Sequence, residues 1–358
     1  MTQFPSRPAK GHGALSNPPG RFNREHTEAV DDGWYLEEAS GPIPTSLEPD
    51  HARSVIRTND SPDVGFEYSI NPYRGCAHAC IYCYARPSHA YLGLSPGLDF
   101  ETRLFYKADA ARVLTEELSS PRYTCRPIAI GANTDPYQPV ERRLRVTRSI
   151  LEVLRSCRHP VSIITKSAMI IRDIDILGDL AQQRLVQATI SVTTLDPELK
   201  RKLEPQAAAP QARLAAIRAL AGAGVPVGVL VAPIIPAVTE HELERIITAV
   251  VEAGATRAGY VLLRLPHEVK TLFREWLAEH YPQRAEHVMS LIRSLRGGAD
   301  NDPRFGHRMR GTGPYAALLE KRFELACRRA GLQDLPRVAL TTDLFRRPGP
   351  QTELSFEP

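Results

Sequence analysis

The chain contains no run of eighteen apolar residues, so nothing in it reads as a membrane span. Residues 1–13, MTQFPSRPAKGHG, lack the apolar core of a secretory signal, and the expectation is a cytoplasmic protein whose thiols stay reduced. Charge of one sign is also in short supply. A net charge of +4 over 358 residues permits an anionic partner and does not require one. Neither a sequence repeat nor a long low-complexity tract interrupts the chain. Cysteine is scarce, six in all, yet Cys76, Cys80 and Cys83 crowd into the segment YRGCAHACIYCYARPSH, residues 73–89. No fourth cysteine stands near them, which excludes a closed four-thiolate site on that segment.

What is present is an ordinary globular composition, 42% hydrophobic and 24% charged, in a length that suits two domains or one large α/β barrel. Residues 1–64 are rich in Pro, Gly, Ser and Asn and read as an extended or partly disordered arm; residues 336–358 read the same way as a tail. Between them, apolar runs alternate with helical patterns, the signature of βαβ units on a parallel sheet. The strand candidates are FEYSI (66–70), PIAIGA (127–132), VSIIT (161–165), ATISVTT (188–194), VGVLVAP (227–233) and GYVLLRL (259–265). Helical patterns follow the first five, at 108–119, 146–157, 174–184, 210–224 and 240–254. The expected fold is therefore α/β, a partial (β/α)6 TIM-type barrel over 65–265, with a C-terminal helical extension over 266–335. In such folds chemistry gathers at the C-terminal ends of the strands, and the cysteine cluster follows the first strand directly.

Three thiolates on one short loop can hold three irons of a 4Fe-4S cube and leave the fourth iron open. Gly75 relieves crowding where the chain turns into that loop. The competing reading is a zinc site made of the three cysteines and His78, although His78 stands very close along the chain for joint ligation. The stretch GCxxxCxYCY, with Tyr82 and Tyr84 flanking Cys83, resembles the radical S-adenosylmethionine (radical SAM) enzymes, and more narrowly the branch around spore photoproduct lyase. The resemblance runs from about residue 66 to 265. It implies a 4Fe-4S cluster on Cys76, Cys80 and Cys83 whose open iron is chelated by the amino and carboxylate groups of SAM. One electron from the cluster then cleaves the sulfonium and yields a 5′-deoxyadenosyl radical that abstracts hydrogen from substrate. A low-potential donor such as a flavodoxin or ferredoxin would supply the electron.

The same resemblance suggests contacts for SAM. Thr134 and Asp135, in GANTDPYQP after the second strand, take the position of a segment that meets the ammonium group; Asp135-Pro136 also reads as a plain turn. Lys166, ending the third strand, is expected to pair with the SAM carboxylate, against a solvated strand-end charge. Ser191 on the fourth strand is a second carboxylate contact or small core filler. Leu263, on the sixth, is expected to offer backbone to adenine. Thr239 and Glu242 fit a Thr-x-x-Glu helix start and are read as capping residues.

The substrate is the least legible part. The lyase carries a cysteine just before the segment matched by Thr134 and Asp135, as hydrogen donor to the product radical, and this chain has Ala132 and Asn133 there. Cys125 is the candidate catalytic thiol if its loop folds inward; Tyr82, Tyr84, Tyr137 and Tyr260 are candidate replacements, with Tyr82 and Tyr84 read first as shielding the cluster. Cys157 and Cys327 read as small buried thiols on amphipathic helices. Arg304, Arg308 and Arg310, in PRFGHRMRGTGPY, either meet the phosphates of a nucleic-acid substrate, the class suggested by family analogy, or form a solvated connector. The alternative function is a metal-stabilised binding or electron-transfer protein with a structural iron–sulfur or zinc site.

Overall fold

The computed structural model describes residues 10–23, 43–332 and 339–349; the rest of the expected arm and tail lies outside the described residues. Six strands stand side by side in chain order and run parallel: β1 (Tyr68–Ile70), β2 (Ile128–Ile130), β3 (Val161–Thr165), β4 (Val186–Ser191), β5 (Val227–Ile234) and β6 (Arg257–Leu262). A two-residue strand, Arg57–Thr58, adds antiparallel to β1 and makes the seventh of an open sheet. Register aligns Ile70, Ile130, Ile163, Ala188 and Val227 at one level, all fully buried. Strands covered on both faces read as continuous apolar runs, and β5 is buried at seven of its eight positions.

The connecting helices are α1 (Ala110–Ser119), α2 (Val146–Ser156), α3 (Ile174–Gln182), α4 (Pro210–Gly222) and α5 (Leu243–Glu252). In α2 the apolar residues Val146, Ile150, Leu151 and Leu154 recur at helical spacing and are buried, while Arg148, Glu152 and Arg155 carry the outer face. The result is an α/β fold whose connections after β1 to β6 all emerge at one end, consistent with an incomplete barrel.

Strand ends differ from expectation. β4 begins two residues earlier than the pattern suggested and stops at Ser191, and β6 stops at Leu262. Thr193, Leu263 and Arg264 therefore lie on the loops of the barrel mouth rather than in the ladder. Part of the arm is extended and paired to the domain that follows: Ser46–Pro49 pairs parallel with Arg103–Tyr106, which pairs antiparallel with Tyr73–Arg74. These short strands have partners far along the chain and no clean alternation of burial, so no local pattern announces them.

The C-terminal part contains α6 (Val269–His280), α7 (Ala285–Ser294) and α8 (Pro314–Arg329). α6 and α7 share a core with the cysteine loop, where Phe273, Trp276 and Val288 pack in one cluster with Ala14, Cys80, Ile81 and Tyr82. α8 packs on α5, with Arg322 paired to Glu244 at 2.8 Å.

The stretch 302–311 spans the open side of the sheet. The Met309 carbonyl accepts from the Leu262 amide at 2.9 Å. Fully buried Arg296 donates to the carbonyls of Leu262, Leu263, His307 and Arg308. At the other end, Asp63, just ahead of β1, accepts from the Gly306 amide at 2.7 Å and pairs with Arg308.

Candidate active site

The cysteine loop leaves β1 through Gly75, at φ +74°, where an added Cβ would lie 2.7 Å from a Leu104 methyl and 2.9 Å from the Phe100 carbonyl. Only glycine takes that turn without displacing its neighbours. Beyond it the loop is held from several sides. The Cys76 amide donates to Phe100, the Ala77 amide to the Gln138 side chain at 2.8 Å, and the Ile81 amide to the Leu203 carbonyl at 3.1 Å. Arg86, fully buried, donates to the Cys80 carbonyl at 2.9 Å and pairs with Glu101.

Cys76 and Cys80 are buried and Cys83 half-buried, all three as free thiols. Burial, reinforced by Cys76, pushes the Cys83 thiol up to about 11; burial together with the Glu204 carboxylate raises Cys80 well above its usual range. Among the described residues no three His, Cys, Asp or Glu side chains gather closely enough for one metal ion. An iron–sulfur cube takes its thiolates at separate corners, further apart than the ligands of a single ion. The His78 ring is turned toward Asp135, 3.4 Å away, and this leaves a donor set of three soft thiols. That set fits three corners of a cube and leaves its fourth to an outside ligand.

The expected SAM contacts lie at the same end of the sheet, with their polar atoms in different states of engagement. Thr134, buried, gives its hydroxyl to the Tyr73 carbonyl at 2.7 Å. The Asp135 carboxylate accepts from the Thr165 hydroxyl and the Lys166 amide at 2.7 Å each, and from the Tyr137 amide at 2.9 Å. Burial opposes its charge, but His78 and these donors hold the carboxyl below its ordinary value. Asp135 thus ties the β2 and β3 loops to the cysteine loop. Ser191 ends β4 and is buried, its carbonyl accepting from Arg213 at 2.9 Å. The Leu263 amide is bonded to Ile234 and its carbonyl to Arg296, so its backbone is engaged at both ends.

Lys166 reaches inward. Its ammonium lies 3.1 Å from the Ala232 carbonyl, 3.3 Å from Glu204 and 5.5 Å from the centre of the Tyr82 ring. Glu204 is the residue that sequence reasoning missed. Fully buried, it pairs with buried Arg213, accepts from the Tyr82 hydroxyl, and accepts from the Thr193 hydroxyl at 2.7 Å. Burial alone would raise this carboxyl, yet Arg213 and Lys166 hold it well below the usual carboxylate range. Two cations face one carboxylate here, so the group of three carries a surplus positive charge beside the cysteine loop. The only sequence signal was a Glu-Pro step after a short helical run, Pro197–Leu203, which resembles an ordinary helix end.

Other expectations resolve differently. Cys125 precedes β2 and stands at the end of the sheet opposite the cysteine loop; burial raises its thiol to about 11, and the structure does not bring it to this site. Glu242 does not complete a capping box with Thr239. Its carboxylate crosses to the β4 loop, accepting from the Thr194 hydroxyl and from the Leu195 amide at 3.2 Å, while the Thr239 hydroxyl accepts from Ile235. Tyr84 donates to the Ala132 carbonyl and lies beneath Arg264, 5.3 Å from ring centre to guanidinium. Arg304 is held by Asp302, Arg308 by Asp63, and Arg310 lies 3.9 Å above the Tyr260 ring.

Residues 70–250 match the model of the radical SAM superfamily. An uncharacterised protein of Mycobacterium tuberculosis is 39% identical over 230 residues, 64% of this chain and 68% of its own length. One of Methanocaldococcus jannaschii is 26% identical over 227 residues, 62% of this chain and 79% of its own. Among solved structures, spore photoproduct lyase complexed with dinucleoside spore photoproduct superposes with a TM-score of 0.57 at 17% identity, covering 79% of each chain. A lyase variant with bound AdoMet and the same dinucleoside gives 0.55 at 16% identity, covering 79% of this chain and 78% of its own. At that identity the likeness is one of fold. The family match, which carries the three-cysteine loop at the head of the matched region, is what assigns the chain: it belongs to the radical SAM superfamily.

Proposed function

We propose that the protein is a radical SAM enzyme built on a six-unit partial barrel, with a 4Fe-4S cluster on Cys76, Cys80 and Cys83. The observation that carries this reading is the three-thiol loop at the C-terminal end of β1, two of its thiols buried and one half-buried, with the inward-facing ammonium of Lys166 beside it. When bound, the cluster and S-adenosylmethionine supply a 5′-deoxyadenosyl radical that takes hydrogen from substrate. The chain's own residues bind and orient. Lys166, whose charge is the surplus left once Arg213 balances Glu204, attracts a carboxylate. Ser191 remains our assignment for a further SAM contact, Thr134 and Asp135 act by bracing the loops around it, and Leu263 borders the site with its amide and carbonyl already bonded.

For the substrate, the dinucleoside held by the lyase makes nucleic acid the first class to test. The mouth arginines lend it little support, because Arg304 and Arg308 are already paired with carboxylates. Tyr84, at Ala132, is our candidate for returning hydrogen in place of the absent cysteine.

The test is the electron paramagnetic resonance spectrum of the anaerobically reconstituted, reduced protein with and without SAM, together with assay of 5′-deoxyadenosine. A SAM-dependent change in the cluster signal supports the reading. An unchanged iron–sulfur signal, or none, would return a structural or zinc site to the front. Lys166→Ala should weaken SAM binding by about 1.5–3 kcal/mol, roughly ten- to a hundredfold in Kd, with iron content unchanged. Equal SAM affinity in that variant moves the carboxylate site elsewhere.

A further inference from the structure

Among the described residues, one half-buried cation at the barrel mouth lacks a counter-charge. Arg264 lies just past Leu262, where β6 ends. Its Nε is buried without a hydrogen-bond partner, and its Nη1 meets the Met309 thioether, a weak acceptor, at 3.6 Å. Asp63, the carboxylate whose field reaches it, is already bonded to Arg308 and to the Gly306 amide. Arg296 stands close by, fully buried, with its donors committed to four backbone carbonyls. Burial, and after it the Arg308 charge, holds the Arg264 guanidinium below its ordinary pKa; burial and Arg264 press Arg296 down to about 10. A desolvated guanidinium in this state is costly to the fold, and an oxyanion relieves it.

Its place in the mouth is as telling as its charge. The guanidinium lies 5.3 Å from the centre of the Tyr84 ring, and Tyr84 directly follows Cys83. The Tyr84 hydroxyl donates to the Ala132 carbonyl, on the loop after β2. Ring and cation together thus bridge the mouth from the β2 side to the β6 side. Tyr84 is 46% exposed, so the bridge is open to a visitor. The neighbouring arginines are committed elsewhere: Arg304 to Asp302, Arg308 to Asp63, and Arg310 to the Tyr260 ring at 3.9 Å.

We propose that Arg264 is a substrate-binding residue that takes an oxyanion, a carboxylate or a phosphate group, and holds the adjoining part of the substrate over Tyr84. This rests on the reading of the barrel mouth, beside Cys76, Cys80 and Cys83, as the site of the radical. The planar fork of arginine matches two oxygens of one such group, which a single ammonium does not. The substrate is then an anionic molecule, and a neutral isostere is rejected because it leaves the guanidinium unpaired.

The probes are inorganic phosphate, dimethyl phosphate and acetate, offered to the full-length, reconstituted and reduced protein with methionine and 5′-deoxyadenosine present to fill the SAM site. A reduced, paramagnetic iron–sulfur group speeds the nuclear relaxation of molecules held near it, so phosphorus and carboxyl-carbon relaxation rates report binding at the mouth rather than at remote surface cations. Enhancement is expected for the phosphate probes, for acetate or for both, and the comparison tells a phosphate-bearing substrate from a carboxylate-bearing one. In Arg264→Met the enhancement at sub-saturating anion should fall by about tenfold or more, and Arg264→Lys should keep part of it. Arg304→Gln, at a rim arginine already paired, should match wild type. Arg264→Met should also unfold at an equal or higher urea concentration than wild type, because it removes a cation the fold leaves unpaired. No enhancement with any probe while the cluster signal is present, or undiminished enhancement in Arg264→Met, would overturn the anion site and leave the cluster reading intact. A lower unfolding midpoint for Arg264→Met would overturn it too, since the guanidinium would then serve the fold. Absence of any iron–sulfur signal in the reduced wild-type protein would bring down the cluster reading and this assignment with it.

Discussion

Cys80→Ala is expected to bring 5′-deoxyadenosine formation down to that of a blank without protein, while the polypeptide still folds. The thiol lies between the sheet's mouth and the helical layer, packed with Ile81, Leu203 and Trp276. Taking away one sulfur there should cost about 1 kcal/mol, the centre of the range for single substitutions. The loss of a cluster ligand is of another order, because two thiols cannot hold the cube against solvent and competing thiols. Cys157→Ala is the control. That cysteine caps the end of α2, and its replacement should leave cleavage at the wild-type rate. The measurements are iron and sulfide content after reconstitution, far-ultraviolet circular dichroism, and 5′-deoxyadenosine by chromatography. Full cleavage by the Cys80 variant would sink the ligand assignment.

Glu204→Gln should destabilise the protein by about 3–5 kcal/mol, the loss typical when one partner of a buried ion pair is removed and the other is left uncompensated. The amide keeps the shape and can still accept from Tyr82 and Thr193. It cannot balance Arg213, which is buried and has Glu204 as its carboxylate partner, nor Lys166. Denaturant unfolding of the cluster-free protein would measure the loss. The double variant Glu204→Gln, Arg213→Gln should be less damaging than the sum of its two single changes, since neither charge is then stranded. Additive losses would mean that the pair does not act as a unit. A loss under about 1 kcal/mol for Glu204→Gln, the scale of an exposed pair, would mean that water reaches this group.

These two sites differ in how readily a reader of the sequence finds them, and the difference is physical. A cluster bound by one loop needs its ligands within a few residues, so Cys76, Cys80 and Cys83 announce themselves by spacing. Glu204 acts through Tyr82, Lys166, Thr193 and Arg213, which come from four other segments and meet only when the sheet forms. No local pattern marks a carboxylate whose partners are scattered in that way. The strands were legible for a related reason: parallel strands buried on both faces are written as apolar runs such as VSIIT and VGVLVAP. Their ends were not, because the residues that leave the ladder at the mouth, Thr193 and Leu263 among them, are as β-prone as those inside it. Cys125 precedes β2, and in a parallel sheet that order alone puts it at the end opposite the mouth, so only an inward-folded loop could have brought it to the site.

The segment that spans the open side of the sheet has a consequence for the protein in crowded solution. A parallel sheet that stops at six strands leaves amides and carbonyls along its last strand, and such a margin is a template on which another polypeptide can add. Here the Met309 carbonyl already occupies the Leu262 amide, and Arg296 takes the carbonyls of Leu262 and Leu263 from within. The end of the last strand is thus capped by hydrogen bonds drawn from its own downstream chain, so a part of that margin is closed to an incoming strand.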